Sequence, residues 1–176
     1  VVTCPTGTNY SYCVESKNDG LANYVLLGVT ETGFGNGQIV ASLDGGTTLS
    51  RVVAGNQQIL AAKFKVSATA DNFTIKEVKF SVDSSAASII TGVTLKNGPA
   101  TIGTALVDTN GEVYFTGLST LVPANTYKSL VVYFTLGTPS ASAATTGKNV
   151  KVTMTYFKVT DGQGAESTQT ISKSGN

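Results

Sequence analysis

The chain has no histidine and no tryptophan, and only one methionine, two cysteines and four prolines among its 176 residues; 13% of it is charged. Each shortage excludes something. Without histidine there is no Ser-His-Asp or Cys-His arrangement and no His-ligated zinc. A net charge of +1 is not the balance of a polyelectrolyte binder, so nucleic acid is not an expected partner. The longest apolar run, within residues 24–29, is too short to span a bilayer, so no membrane span is expected. With tryptophan absent and seven tyrosines scattered, no aromatic-rich binding face is expected either.

What is abundant points one way. There are 26 Thr, 20 Val and 16 Ser beside 19 Gly, the composition of strands joined by tight turns. The length suits one domain that buries roughly 70% of its unfolded surface.

Both cysteines, Cys4 and Cys13, lie in CPTGTNYSYC, where Pro5 and Gly7 let the chain fold back. A local disulfide is expected, adding roughly 2–3 kcal/mol and placing the chain in an oxidising compartment. Free thiols or an intermolecular bridge are the alternatives. Asn9 and Asn72 head the triplets Asn9-Tyr10-Ser11 and Asn72-Phe73-Thr74 and are candidate N-glycosylation sites. The start at Val1 fits removal of a signal peptide. Together these predict a secreted glycoprotein, extracellular or at the cell surface.

Motifs for chemistry are poor. Around Gly147-Lys148, Ser142 and Asn149 occupy positions where a phosphate-binding loop needs Gly and Ser or Thr. Residues 33–38, GFGNGQ, begin like a dinucleotide fingerprint but carry Gln38 in place of the last glycine and read as a turn. Asp108-Thr109-Asn110-Gly111-Glu112 and Asp161-Gly162 are fragments of a calcium loop that lack its full pattern. No catalytic residue, cofactor or metal is expected, although eleven acidic residues leave a glycosidase-type carboxylate pair open.

Two-residue alternation runs through the chain. Leu60, Ala62, Phe64 and Val66 face one way, Lys63 and Lys65 the other. Phe73 and Ile75 set one phase while Val78, Phe80 and Val82 take the opposite one, which predicts a bulge at Lys76 and Glu77. Asn97-Gly98 and Asn110-Gly111 are predicted hairpin turns that would draw a three-stranded meander. Val122-Pro123-Ala124-Asn125 makes a corner before a strand with Leu130, Val132, Phe134 and Leu136 inside. Val150, Val152, Met154 and Tyr156 share a face, with a phase switch before Phe157. Lys63, Lys65, Lys76, Lys79, Lys151 and Lys158 fall on outward phases, where lysine guards sheets against stray pairing. The expected fold is all-β, an antiparallel β-sandwich of jelly-roll or Ig-like kind with an N-terminal strand extension. Residues 1–30 form the extension and residues 31–176 the sandwich.

Residues 21–30, LANYVLLGVT, are apolar on both faces: Val25, Leu27 and Val29 on one, Tyr24 and Leu26 on the other. Such a strand is buried on two sides, either at the centre of its own sandwich or as a strand donated to the next subunit, which builds a fibre because head-to-tail contact does not close. Tyr24, Val25, Leu26, Leu27 and Val29 are the donor-strand candidates.

Residues 37–82, GQIVASLDGGTTLSRVVAGNQQILAAKFKVSATADNFTIKEVKFSV, resemble the N-terminal half of secreted β-sandwich fibre subunits, of the TasA-like biofilm-matrix kind and the bundling pili of archaea. A short strand, then Gly55-Asn56 before the strand ending in Phe64 and Val66, then Ile75-Lys76-Glu77-Val78, carry the resemblance. The second half, with Val122-Pro123-Ala124-Asn125 before Leu130-Val131-Val132, is similar to tandem adhesin and surface-layer domains. The resemblance implies an extracellular homopolymer, a filament or pilus subunit joined head to tail by an N-terminal donor strand, with itself as partner and no active site. CPTGTNYSYC departs from that pattern, and a disulfide hairpin there could cap the strand. The alternative is a monomeric adhesin or carbohydrate-binding surface module with glycans as partners.

Overall fold

Alternation gives each extended segment one oily side, and two sheets facing each other are the simplest way to hide ten such sides at once. The computed structural model describes residues 14–18, 21–25, 37–45, 55–138 and 150–175. Strands β1 (Val14–Asn18) and β2 (Leu21–Val25) come first, followed by β3 (Gln38–Leu43), β4 (Gln58–Thr69) and β5 (Phe73–Val82). A four-residue helical turn, α1 (Ser84–Ala87), leads to β6 (Ile90–Asn97), β7 (Ala100–Ala105), β8 (Glu112–Phe115), β9 (Thr120–Val122) and β10 (Tyr127–Leu136). Strands β11 (Val152–Asp161) and β12 (Glu166–Gly175) close the order.

One sheet runs β3-β4-β10-β6-β7 and the other β12-β11-β5-β8, with β9 also paired to β5; every pairing is antiparallel. The protein is an all-β sandwich built from Gln38 onward. The boundary between residues 30 and 31 falls outside the described residues. Among the described strands, β1 and β2 pair only with each other.

The six described phenylalanines, Phe64, Phe73, Phe80, Phe115, Phe134 and Phe157, are all at most 3% exposed. Phe64 of the first sheet meets Phe80 of the second at 5.5 Å between ring centroids, and Phe80 meets Phe115 edge-on at 5.9 Å. These contacts hold the two layers together, since aromatic pairs add to the burial of their area. Tyr114, Tyr127, Tyr133 and Tyr156, whose hydroxyls favour water, stand on the outer faces.

The phase break expected in β5 is present. Glu77 faces Lys158 and Ile75 faces Val159, so Lys76 is the extra residue, and its carbonyl accepts from Leu118 N–H at 2.9 Å. β11 carries a matching extra residue at Thr155, between Met154 and Tyr156, whose hydroxyl donates to Lys79 O. One bulge on each strand leaves the register equal at both ends of the pair. Phase therefore switches at Thr155, and Tyr156 turns to the outer side instead of joining Val152 and Met154 inside. β4 likewise bulges at Ala61, since Val132 faces Ala62 and Tyr133 faces Leu60. Leu60 is only half-buried as a result, and Ile59 packs against the core in its place.

The meander is corrected. β6 and β7 form the Asn97-Gly98 hairpin, with Asn97 opposite Ala100, but only Gly98 takes a positive φ, at 60°, and Pro99 follows it. That is the glycine-first pattern of a II′ turn, not the Asn-Gly type. At Asn110-Gly111 the chain turns and leaves its sheet, so β8 pairs with β5, not β7. Val113 and Phe115 need an oily surface, and β5 supplies it through Val78 and Phe80. Phe115 closes this flank against Gly103 of β7, where a methyl in place of the glycine hydrogen would lie 2.7 Å from its ring. The final strand is also longer than the expected segment around residues 167–171.

Candidate functional site

Of the N-terminal candidates, Tyr24 and Val25 are the last residues of β2, opposite Glu15 and Val14. Residues 21–25 are thus half of a hairpin, and β2 joins neither five-stranded sheet; residues 26–30 of the same apolar segment lie outside the described residues. Leu26, Leu27, Val29, Cys4, Cys13 and Asn9 lie outside the described residues.

Asn72 is exposed in the turn between β4 and β5, directly before buried Phe73. Its side-chain oxygen accepts from Ala124 N–H at 2.8 Å, while Asn125 Oδ1 accepts from Ala70 N–H at 3.2 Å. The two asparagines fasten the β4–β5 turn to the Pro123 corner. The corner itself is tied by Thr126, whose hydroxyl donates to Pro123 O at 2.7 Å.

The two calcium-loop fragments are the same turn made twice. Asp108 Oδ1 accepts from Asn110 and Glu112 N–H, and Asp161 Oδ1 accepts from Gln163 and Ala165 N–H. In each, the fourth residue is a glycine at positive φ, Gly111 at 80° and Gly164 at 90°, donating back to the aspartate carbonyl. This is a type I turn with a glycine bulge, in which Oδ1 of each aspartate is taken by its own backbone, while Asp161 Oδ2 is buried without a hydrogen-bond partner.

The sheet edges differ in how they are guarded. β7 follows Pro99 and bulges at Ile102; β12 carries Glu166 and Lys173; β8 and β9 are short and interrupted. β3, QIVASL, has no charge, no proline and no register break against β4, and Val40 and Leu43 are 49% and 41% exposed. It thus has neither charge, proline nor bulge, three of the devices that deter another strand.

The outer faces differ too. On the second sheet, Lys79 Nζ lies 2.5 Å from Glu112 Oε1, and the Tyr114 hydroxyl donates to Glu112 Oε2. Those hydrogen bonds hold the Glu112 carboxyl below its ordinary value and push the Lys79 ammonium up. Lys158 reaches Glu166 at 2.8 Å and Glu77 at 3.9 Å, and its pKa is raised chiefly by the hydrogen bond to Glu166. Burial, then the nearby Glu77 charge, pushes the Tyr156 phenol up. On the first sheet, Lys65 Nζ sits 4.3 Å over the Tyr127 ring and Lys96 Nζ 4.9 Å over Tyr133. A face combining tyrosine and lysine therefore exists where the scattered sequence positions suggested none. Its only sequence signal was the shared outward phase of Lys63, Lys65, Tyr127 and Tyr133.

No helix among the described residues is long and apolar enough to cross a membrane. No protein-family model matches the chain, and no curated protein matches it. Among solved structures it is similar to a "Biofilm associated protein - BSP domain", with a TM-score of 0.38 and 12% identity over 83% of this chain and 29% of that one. It is also similar to a "Biofilm associated protein - B domain", with a TM-score of 0.37 and 12% identity over 82% of this chain and 44% of that one. The chain spans less than half the length of either.

Proposed function

We propose that this protein is a non-catalytic structural subunit of an extracellular filament, polymerising head to tail when its N-terminal segment adds to the unguarded edge of a neighbour's sandwich. The observation that carries this reading is the presence in one chain of a two-stranded hairpin, β1–β2, that joins no other described strand, and of an apolar strand, β3, that ends its sheet among the described strands. A two-stranded hairpin is marginal by itself in water. Adding it, or the apolar residues 26–29 that follow it, to β3 satisfies the ladder groups of the edge and removes Val40 and Leu43 from solvent. Because donor and acceptor are different surfaces, the contact repeats without closing.

Negative-stain electron microscopy and light scattering of the full chain, beside a chain lacking residues 1–30, test this. Filaments from the full chain and a folded monomer from the truncated one are expected. A full chain that stays monomeric, or a truncated chain that still polymerises, overturns strand donation.

A further inference from the structure

The geometry points to the outer face of the first sheet as a binding surface for an acidic polysaccharide, a chain of carboxylated sugars. The five strands of that sheet contain Lys63, Lys65, Lys96 and Lys128 and no aspartate or glutamate. Register brings three of the four lysines together. Val131 of β10 faces Lys63 on one side and Lys96 on the other, and Ser129 faces Lys65. Val131, between Lys63 and Lys96 in register, is only 8% exposed although it points outward.

The ammonium groups of Lys65 and Lys96 are held against Tyr127 and Tyr133 rather than against carboxylates. A cation over a ring keeps its full charge and still attracts an anion. Asp44, directly after β3, accepts from the Ser129 hydroxyl at 3.1 Å and donates its N–H to Lys63 O, and the lysines of this sheet that stand against rings are Lys65 and Lys96. Tyr127 and Tyr133 mark a strip about 20 Å long on β10, with the hydroxyl-bearing residues Ser67, Ser129, Thr94 and Thr135 along it. Clustered positive charge amid hydroxyls along a sheet face complements a linear polyuronate.

A nucleic acid fits less well. Single strands stack their bases on open aromatic faces, and here ammonium groups cover the rings. Duplex reading needs an element that enters a groove, which the broad middle of a sheet does not offer. The surface is present on a single chain and does not depend on polymerisation.

The test is binding of the full chain to alginate at low and high salt, with dextran as the neutral control and double-stranded DNA at equal charge concentration. Salt-sensitive binding to alginate above that to dextran is expected. The double substitution Lys65→Gln with Lys96→Gln is expected to weaken it about tenfold, the scale of losing two exposed charge contacts. Lys65→Arg with Lys96→Arg should retain binding, and Lys158→Gln, on the opposite face, should leave it unchanged. Absence of alginate binding, equal binding to dextran, tighter binding to DNA, or an equal loss in Lys158→Gln would each overturn the proposal. Thermal unfolding of each variant checks that the sandwich is intact, and loss of binding by the folded arginine variant would likewise overturn it.

Discussion

The two sheets share one interior and differ outside. The strands of the second sheet contain Lys76, Lys79, Lys158 and Lys173 and also Glu77, Glu112, Asp161 and Glu166, with Lys79 and Lys158 in ion pairs; the strands of the first sheet hold lysine without any acid. A net charge of +1 for the whole chain hides this segregation. On the second sheet, charges answer one another across neighbouring strands, the cross-strand pairing that stabilises a sheet from outside. On the first, the Tyr127 and Tyr133 rings stand beside Lys65 and Lys96 where the second sheet has carboxylates as well as the Tyr114 ring beside Lys79. Neutral on one side and basic on the other, the sandwich is a polar object with a face to present.

The most damaging way to break this comparison is to remove what both faces depend on. Phe80→Ala, deleting a ring that touches Phe64 and Phe115, should lower unfolding free energy by about 3–5 kcal/mol in urea titration. Both faces should be lost in one transition. Gly103→Ala puts a methyl against the Phe115 ring, where β7 of one sheet meets β8 of the other. Overpacking there should cost about 1–3 kcal/mol, again without distinguishing the faces.

Surface substitutions should separate them. Lys65→Gln removes a cation from a tyrosine face and should cost roughly 0.5 kcal/mol, with no change in the acid limb of a stability-against-pH curve. Glu112→Gln should change that limb. The folded carboxyl titrates below its ordinary value of 4.5 because Lys79 and Tyr114 bond to its ionised form. Its contribution is therefore complete above pH 4.5 and fades as pH falls through the lower folded value. Thermal melts across the acid range should show a flatter decline in the variant. The smallest effect on folding is expected at the open edge. Val40→Lys, at an exposed position of β3, should shift stability by no more than about 0.5 kcal/mol. It should nevertheless abolish filaments under the electron microscope, because lysine is the residue that guards an edge.

Inward and outward sides were readable along most strands, and so was the bulge at Lys76, because a side-chain period of two is a local property. The corner at Pro123 and the turn at Gly98 were readable for the same reason. Where one residue slips, reading failed by one residue: Ala61 and Thr155 shift phase inside otherwise apolar runs, and no punctuation marks them. The meander failed differently. Asp108 to Glu112 forms a hairpin loop down to its hydrogen bonds, yet the strand that follows pairs elsewhere.

By itself, then, the sequence determined that the described protein is strands and turns and which residues of most strands are hidden. Only the tertiary structure decided which strands are neighbours, because the chain changes sheet five times between β4 and β11 and hydrophobic alternation says which way a side chain faces without saying what lies beside it. The gathering of Lys65, Lys96, Tyr127 and Tyr133 on one face, and the place of β3 at the end of its sheet among the described strands, both follow from that pairing.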